Sequence, residues 1–251
     1  VNGFVNAFEF SEADNAILAG DWDMPISDFS VEHLNDQGHF VGKVNNLIPW
    51  HIREVFYRNL KNMAWKAVGL DGIADKAFDQ VGNYRLSNYN EGFADALWRC
   101  LQPSMDTIRE CNPFTPTDHD NHPLWKPIGV NPLMRFIRYD HGGQLVGHYD
   151  AAYIKDDKQR SLMSMVIYIT NNPQGGATRF LRDPQVGKRM DEMDFSDWDR
   201  SGNDDEVILA NYPKAGSALI FDHRLLHDGE PIGPRQPGKL IIRTDIMFER
   251  V

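Results

Sequence analysis

Apolar residues follow two different periods along the chain. From Leu47 to Val68 they recur at helical spacing, at Ile48, Ile52, Val55, Phe56, Leu60, Met63, Ala64 and Val68. This predicts a helix with Gly69 and Gly72 beyond its end. A second helical stretch runs from Glu91 to Cys111 through Phe93, Leu97, Leu101 and Ile108, with Pro103 kinking or dividing it. Residues 112–132 are rich in Pro, Asn, Asp and His and read as a loop. Short strand-like runs follow at Leu133–Tyr139, Ser161–Thr170, Ala177–Leu181, Val207–Ala210, Ser217–Phe221 and Lys239–Phe248, separated by Gly, Pro and Asn. The reading is an α+β chain forming a single domain over 1–251. Residues 1–112 give mainly helical support, and 133–251 give an antiparallel β core of six to eight strands.

Residues 182–206 interrupt the strands with nine acidic and four basic residues, together with Phe195 and Trp198. A solvated surface insertion is the simpler reading, and a lid over a site is the functional one. An insertion of this charge inclines towards a cationic substrate. The whole chain of 251 residues carries 26 Lys and Arg against 36 Asp and Glu, a formal charge of −10. No nucleic-acid partner is expected at that charge, because phosphate-backbone affinity needs clustered cations. No apolar run approaches the roughly 18–20 residues of a membrane span, so no membrane partner is expected. The two cysteines, Cys100 and Cys111, read as free thiols of a reducing, cytoplasmic compartment.

The chemistry concentrates in Arg135-Phe-Ile-Arg-Tyr139-Asp-His-Gly-Gly-Gln-Leu-Val-Gly-His148-Tyr-Asp150. Alternate residues of a strand share a side, so His148 and Asp150 read as a pair able to hold one ion. His227, just past a strand-like run, is the natural third ligand, with His223 next in line. Two imidazoles and one carboxylate leave coordination positions open, as in non-haem Fe(II) oxygenases. The same set suits Zn(II) and water activation. On the run from Lys239 to Phe248, Lys239, Ile241, Arg243 and Asp245 share a face. Cations among apolar strand positions are costly to bury unless an anion meets them. A dicarboxylate cosubstrate is such an anion. Arg135 shares a face with Ile137 and Tyr139, where it could bind a substrate carboxylate or phosphate or make a surface ion pair. Asp245 could face substrate or pair with Arg243. His119 and His122, in Asp-His-Asp-Asn-His, read as a solvated loop in preference to a second metal site.

From about Leu133 to Phe248 the chain resembles the double-stranded β-helix (jelly-roll, cupin-like) core of Fe(II)- and 2-oxoglutarate-dependent dioxygenases, in their prolyl-4-hydroxylase-like branch. The matching pieces are Arg-Tyr-x-x-Gly-Gly, His148-x-Asp150, Ile167-Tyr-Ile-Thr-Asn171 and Gly175-Gly-Ala-Thr-Arg-Phe180. They continue with Ala215 to Phe221, His227-x-Gly229 and Lys239 to Asp245, in the family's order. The resemblance implies Fe(II) held by His148, Asp150 and His227, with 2-oxoglutarate and O2 as cosubstrates. It places the cosubstrate carboxylate on Lys239, twelve residues after His227 where the family has about ten, with Arg243 sharing it or serving its chelating end. Tyr139 and Tyr168 match positions that often hydrogen-bond the cosubstrate. Arg135 and Asp245 are candidate substrate contacts. The implied reaction is hydroxylation of an amino-acid residue or of a small amino-acid- or amine-like metabolite, with release of succinate and CO2. The alternatives are a metal-dependent hydrolase or cupin-type enzyme using the same site of two histidines and one aspartate, and a non-catalytic binding module on the fold. Partners are therefore a small-molecule or a peptide or protein substrate.

Overall fold

The computed structural model describes residues 7–22, 29–34, 40–68, 82–111, 125–185, 188, 192–194 and 200–251. His119 and His122, and residues 186–187, 189–191 and 195–199 of the proposed lid with its Phe195 and Trp198, lie outside the described residues. The elements are α1 (Glu12–Leu18), β1 (Phe29–His33), β2 (Phe40–Val44), α2 (Trp50–Leu60), β3 (Lys66–Ala67), β4 (Asn83–Tyr89) and α3 (Glu91–Cys111). They continue with β5 (Trp125–Val130), β6 (Leu133–Tyr139), β7 (Leu145–His148), β8 (Gln159–Tyr168) and β9 (Thr178–Leu181). The chain closes with β10 (Val207–Asn211), β11 (Ala218–Asp222), β12 (His227–Gly229) and β13 (Lys239–Arg250).

These strands form two antiparallel sheets. The larger has the order β1-β2-β11-β8-β13-β6-β4-β3, with β5 also paired to β13. The smaller has the order β10-β9-β12-β7. Alternation along the central strands of the larger sheet makes two cores. Phe136, Met163, Met165, Ile167, Leu240 and Ile242 point away from the small sheet and bury the helix residues Ile52, Phe56, Phe93 and Leu97. Ile137, Tyr139, Val166, Tyr168, Leu219, Phe221 and Ile241 point inward and meet Phe180 of β9. Burial on both faces explains why β8 reads from Leu162 to Tyr168 as an apolar run broken only by Ser164.

Residues 1–112 supply strands as well as helices. β2 and β4 hydrogen-bond into the larger sheet beside β11 and β6. The helix expected from Leu47 to Val68 covers Trp50–Leu60 only. The Trp65 indole N–H donates to the Leu60 carbonyl at 3.2 Å, and Lys66 and Ala67 pair with β4. α3 starts where expected, capped by Asn90, whose Oδ1 accepts from the Phe93 N–H at 2.9 Å. Pro103 lies inside it without ending it. The expected loop at 112–132 contains β5, whose Pro127 and Gly129 do not fit the usual strand composition. Pairing to β13 alone leaves β5 an edge strand, where proline is tolerated. Among the described residues no helix is long and apolar enough to cross a membrane.

Candidate metal centre and its cavity

His148 closes β7 and His227 opens β12, and the two are register partners across the small sheet. Their ring centroids are 4.2 Å apart. β7 ends at His148, so Asp150 is held by a loop contact and not by strand alternation. Its backbone N–H donates to the His223 carbonyl at 2.9 Å. His227, expected just past a strand-like run, opens a short strand of its own. The ligand atoms of His148, Asp150 and His227 all lie within 4.8 Å of one another.

The hydrogen bonds around these residues fit a metal. Nδ1 of His148 lies 2.8 Å from the Val146 carbonyl, and Nδ1 of His227 lies 2.8 Å from the Leu225 carbonyl. A carbonyl only accepts, so both Nδ1 atoms carry a proton, and Nε2 is the atom of each ring that holds the lone pair when the ring is neutral. Those Nε2 atoms face the Asp150 carboxylate at 3.8 and 3.6 Å, beyond hydrogen-bond contact. Burial, and then the neighbouring His148, push the His227 pKa down to about 4, which keeps it a neutral ligand. Burial opposes the ionisation of Asp150, but the charge of Arg243, then of the surrounding histidines, holds its carboxyl well below the usual range. A neutral His227 and an ionised Asp150 are protonation states suited to a divalent ion.

A network fixes the carboxylate. Ser164 Oγ donates to Asp150 Oδ2. Arg243 Nη2 lies 3.2 Å from Asp150 Oδ1 and donates to Ser164 Oγ at 3.2 Å. Since Ser164 gives its proton to Asp150, His223 Nδ1, 2.9 Å away, donates to Ser164. Ser161 Oγ lies 2.8 Å from His223 Nε2 and donates to it. His223 is buried and serves Asp150 through Ser164. On the strand residue after His227, Asp228 accepts from Arg179 Nε and Nη2 at 2.8 and 2.6 Å and from the Gly202 N–H at 2.8 Å. The pair anchors β12 to β9 and to the end of the acidic segment. The pairing did not stand out in the sequence, because an Arg and an Asp 49 residues apart carry no signal of contact.

The three potential ligands open onto a cavity of about 310 Å³. Its wall is the inner face of β4, β6 and β13, with Arg85, Arg135, Ile137, Tyr139, Lys239, Ile241 and Arg243. Lys239 is buried, donates to the Gly176 carbonyl at 2.8 Å and stands 4.3 Å from the Tyr139 ring centroid. Burial lowers its pKa to about 8, against a weaker opposing pull from Glu230 and Asp228. Burial raises the Tyr139 hydroxyl too, and raises that of Tyr168 to about 12, so both are neutral donors. Tyr168 points inward from β8 without lining the cavity and donates to Thr178 Oγ1 at 2.8 Å, and Thr178 lines the cavity. Asp245, on the same face of β13 as Arg243, is fully buried, 2.9 Å from Arg243 Nη1 and 3.6 Å from Arg135 Nη1. Arg85 was not singled out by the sequence. It reaches the cavity through β4–β6 pairing, opposite Ile137.

The sequence model of the 2OG-Fe(II) oxygenase superfamily matches residues 134–244. Among solved structures, OsALKBH1 is similar at 12% identity, covering 86% of this chain and all of that one, with a TM-score of 0.54. The non-heme alpha-ketoglutarate-dependent carbocyclase SnoK of nogalamycin biosynthesis is similar at 10% identity, covering 85% and 81%, with a TM-score of 0.52. The viral collagen prolyl hydroxylase of Paramecium bursaria Chlorella virus-1 is 15% identical, covering 84% and 96%, with a TM-score of 0.46. No curated protein matches the sequence. At these identities the structural likeness establishes the fold, a double-stranded β-helix with open antiparallel sheets.

Proposed function

We propose that the chain, a 2OG-Fe(II) oxygenase through its residues 134–244, hydroxylates an unactivated C–H bond of an amino-acid residue or of a small amino-acid- or amine-like metabolite. Its cofactor is Fe(II), and its cosubstrates are 2-oxoglutarate and O2. The observation that carries the reading is one convergence. Two Nε2 lone pairs and one ionised carboxylate meet at the wall of a cavity that also holds a buried ammonium.

His148, Asp150 and His227 would hold the iron, and with 2-oxoglutarate the iron supplies the oxygen activation that no side chain here can perform. Lys239 meets the distal carboxylate. Its ammonium has one carbonyl acceptor and an aromatic face among the described residues, which leaves N–H donors for an anion. Arg243 and Ser164 keep Asp150 ionised and oriented. Ile137, Leu145, Val166 and Ile241 keep the wall apolar and dry between the polar groups. The buried Lys239 favours this reading over a hydrolase, because water activation needs no dicarboxylate.

The test is turnover. Fe(II)-loaded protein in air converts 2-oxoglutarate to succinate and CO2, faster when an accepted substrate is present. Protein that retains Zn(II), ignores 2-oxoglutarate and forms no succinate with added Fe(II) would overturn the proposal.

A further inference from the structure

The cavity wall carries more positive charge than the metal and cosubstrate need. Among the described residues, four cations line it, Arg85, Arg135, Lys239 and Arg243, and two carboxylates, Asp150 and Asp228. Asp228 is turned to Arg179 and the Gly202 N–H. Asp150 is taken by Arg243, Ser164 and the proposed metal. Lys239 is assigned to the distal carboxylate of 2-oxoglutarate.

The strand register brings the other cations together. Arg135 of β6 is directly opposite Arg243 of β13, and like charges in that position repel. The carboxylate shared between them is Asp245, 2.9 Å from Arg243 and already accepting from the Asn131 amide at 3.0 Å. Its contact to Arg135 is the longer one, 3.6 Å, and Arg135 Nη1 is buried without a hydrogen bond. On β4, Arg85 is opposite Ile137 and Ser87 is opposite Arg135. Arg85 is therefore the diagonal neighbour of Arg135 on the same face, with Cα atoms about 7–8 Å apart. One tetrahedral or planar anion can meet two guanidinium groups at that spacing. Burial and then the charge of Arg243 depress the pKa of Arg135, and burial foremost depresses that of Arg85, as expected of cations crowded on one wall.

We propose that Arg85 and Arg135 form the substrate anchor of the cavity, and that the substrate presents an anionic group, a carboxylate or a phosphate, to them. The proposal rests on the oxygenase reading and narrows its substrate class. It reverses the sign suggested by the acidic segment 182–206: the chain is acidic overall, and its cavity wall is cationic. An amino-acid-like metabolite or a peptide with an acidic or phosphorylated side chain satisfies the wall. A simple amine does not.

The test uses Mn(II) in place of iron and saturating 2-oxoglutarate, which occupies Lys239. Inorganic phosphate is followed by 31P relaxation and acetate by methyl-proton relaxation, both enhanced by bound Mn(II) when the anion sits nearby. In the parent at least one anion is relaxed, and the one relaxed identifies the headgroup chemistry. Arg85→Met and Arg135→Met each weaken that anion's binding by about tenfold or more, the scale of one lost charge-assisted contact. The same variants keep 2-oxoglutarate affinity within about threefold by titration. Arg85→Lys and Arg135→Lys keep the charge and most of the anion binding, which covers the case of a Met variant that fails to fold. Three results would overturn the anchor: no anion relaxed although Mn(II) and 2-oxoglutarate bind, relaxation unchanged in all the arginine variants, or 2-oxoglutarate affinity lost in step with the anion. Failure of the parent to bind Mn(II) and 2-oxoglutarate at all would instead overturn the oxygenase reading beneath it.

Discussion

His148 and His227 stand directly opposite each other on β7 and β12, and each donates its Nδ1 proton to the carbonyl two residues before it. The repeated contact gives both rings the same tautomer and turns both Nε2 atoms towards Asp150. The backbone therefore sets the direction of two candidate ligands, which is preorganisation by the ladder of the small sheet.

The carboxylate depends on side chains instead. Ser164 is the shared partner of Asp150, Arg243 and His223. Ser164→Ala removes the donor to Asp150 Oδ2 and leaves His223 Nδ1–H without its acceptor. Divalent-metal affinity is expected to fall by roughly 10- to 100-fold, the usual effect of losing a partner of a ligand. A metal titration of the variant checks this. Affinity equal to the parent would show that Arg243 alone positions Asp150.

Arg179 and Asp228 form a buried bidentate pair beside His227. Arg179→Ala leaves Asp228 buried with the Gly202 N–H as its remaining donor. Breaking such a pair costs roughly 3–5 kcal/mol. For a chain of this size that is on the order of 10 °C in melting temperature. A thermal melt of the metal-free variant tests it, and an unchanged midpoint would mean that the pair contributes nothing to the fold.

In its proposed role, Lys239 couples pH to cosubstrate binding. Its pKa in the free protein is lowered to about 8 by burial, and an anion beside the ammonium raises it again. The anion binds the protonated form. Affinity for 2-oxoglutarate is therefore flat below pH 8 and falls by about tenfold per unit above it, until the pKa of the bound form is reached. The sign for stability is opposite. The unfolded chain keeps its proton to higher pH than the native one, so the metal-free, cosubstrate-free fold gains stability between pH 8 and about 10.4. Lys239→Met removes the buried charge; it should raise the melting temperature of the metal-free protein and abolish the pH dependence of binding together with most of the affinity. Binding constants across pH 7–9.5 decide the matter. An affinity independent of pH would remove Lys239 from the role.

How much of the fold is legible in the sequence follows from burial. β6, and β13 as far as Ile246, alternate because one face meets the helices and the other the cavity, and the sequence-based bounds match β6 and the start of β13. His148, Asp150 and His227 were legible because their spacing and the surrounding glycine turns resemble a known core. β5 was hidden by Pro127 and Gly129, and β7 by its four-residue length and Gly147. β4, Asn-Tyr-Arg-Leu-Ser-Asn-Tyr, is too polar to look like a strand of a main sheet. Its polar positions are buried against the cavity and neighbouring backbone, as with Asn83, whose amide donates to the Gln144 carbonyl at 3.3 Å. Arg85 was lost with it. A residue that reaches a site only through pairing with a strand some 50 residues away leaves no local signal.

The most direct test of the account is an anaerobic titration of Fe(II)-loaded protein with 2-oxoglutarate, watching the weak visible charge-transfer band of the iron–cosubstrate chelate. The parent should develop the band at saturation. Asp150→Ala, which removes the carboxylate ligand, should abolish or weaken it, and Lys239→Ala should need at least about tenfold more 2-oxoglutarate, the loss of one charge-assisted contact to the distal carboxylate. Bound iron with no band in the parent, or a band indifferent to both substitutions, would contradict the assignment of His148, Asp150, His227 and Lys239 to one oxygenase centre.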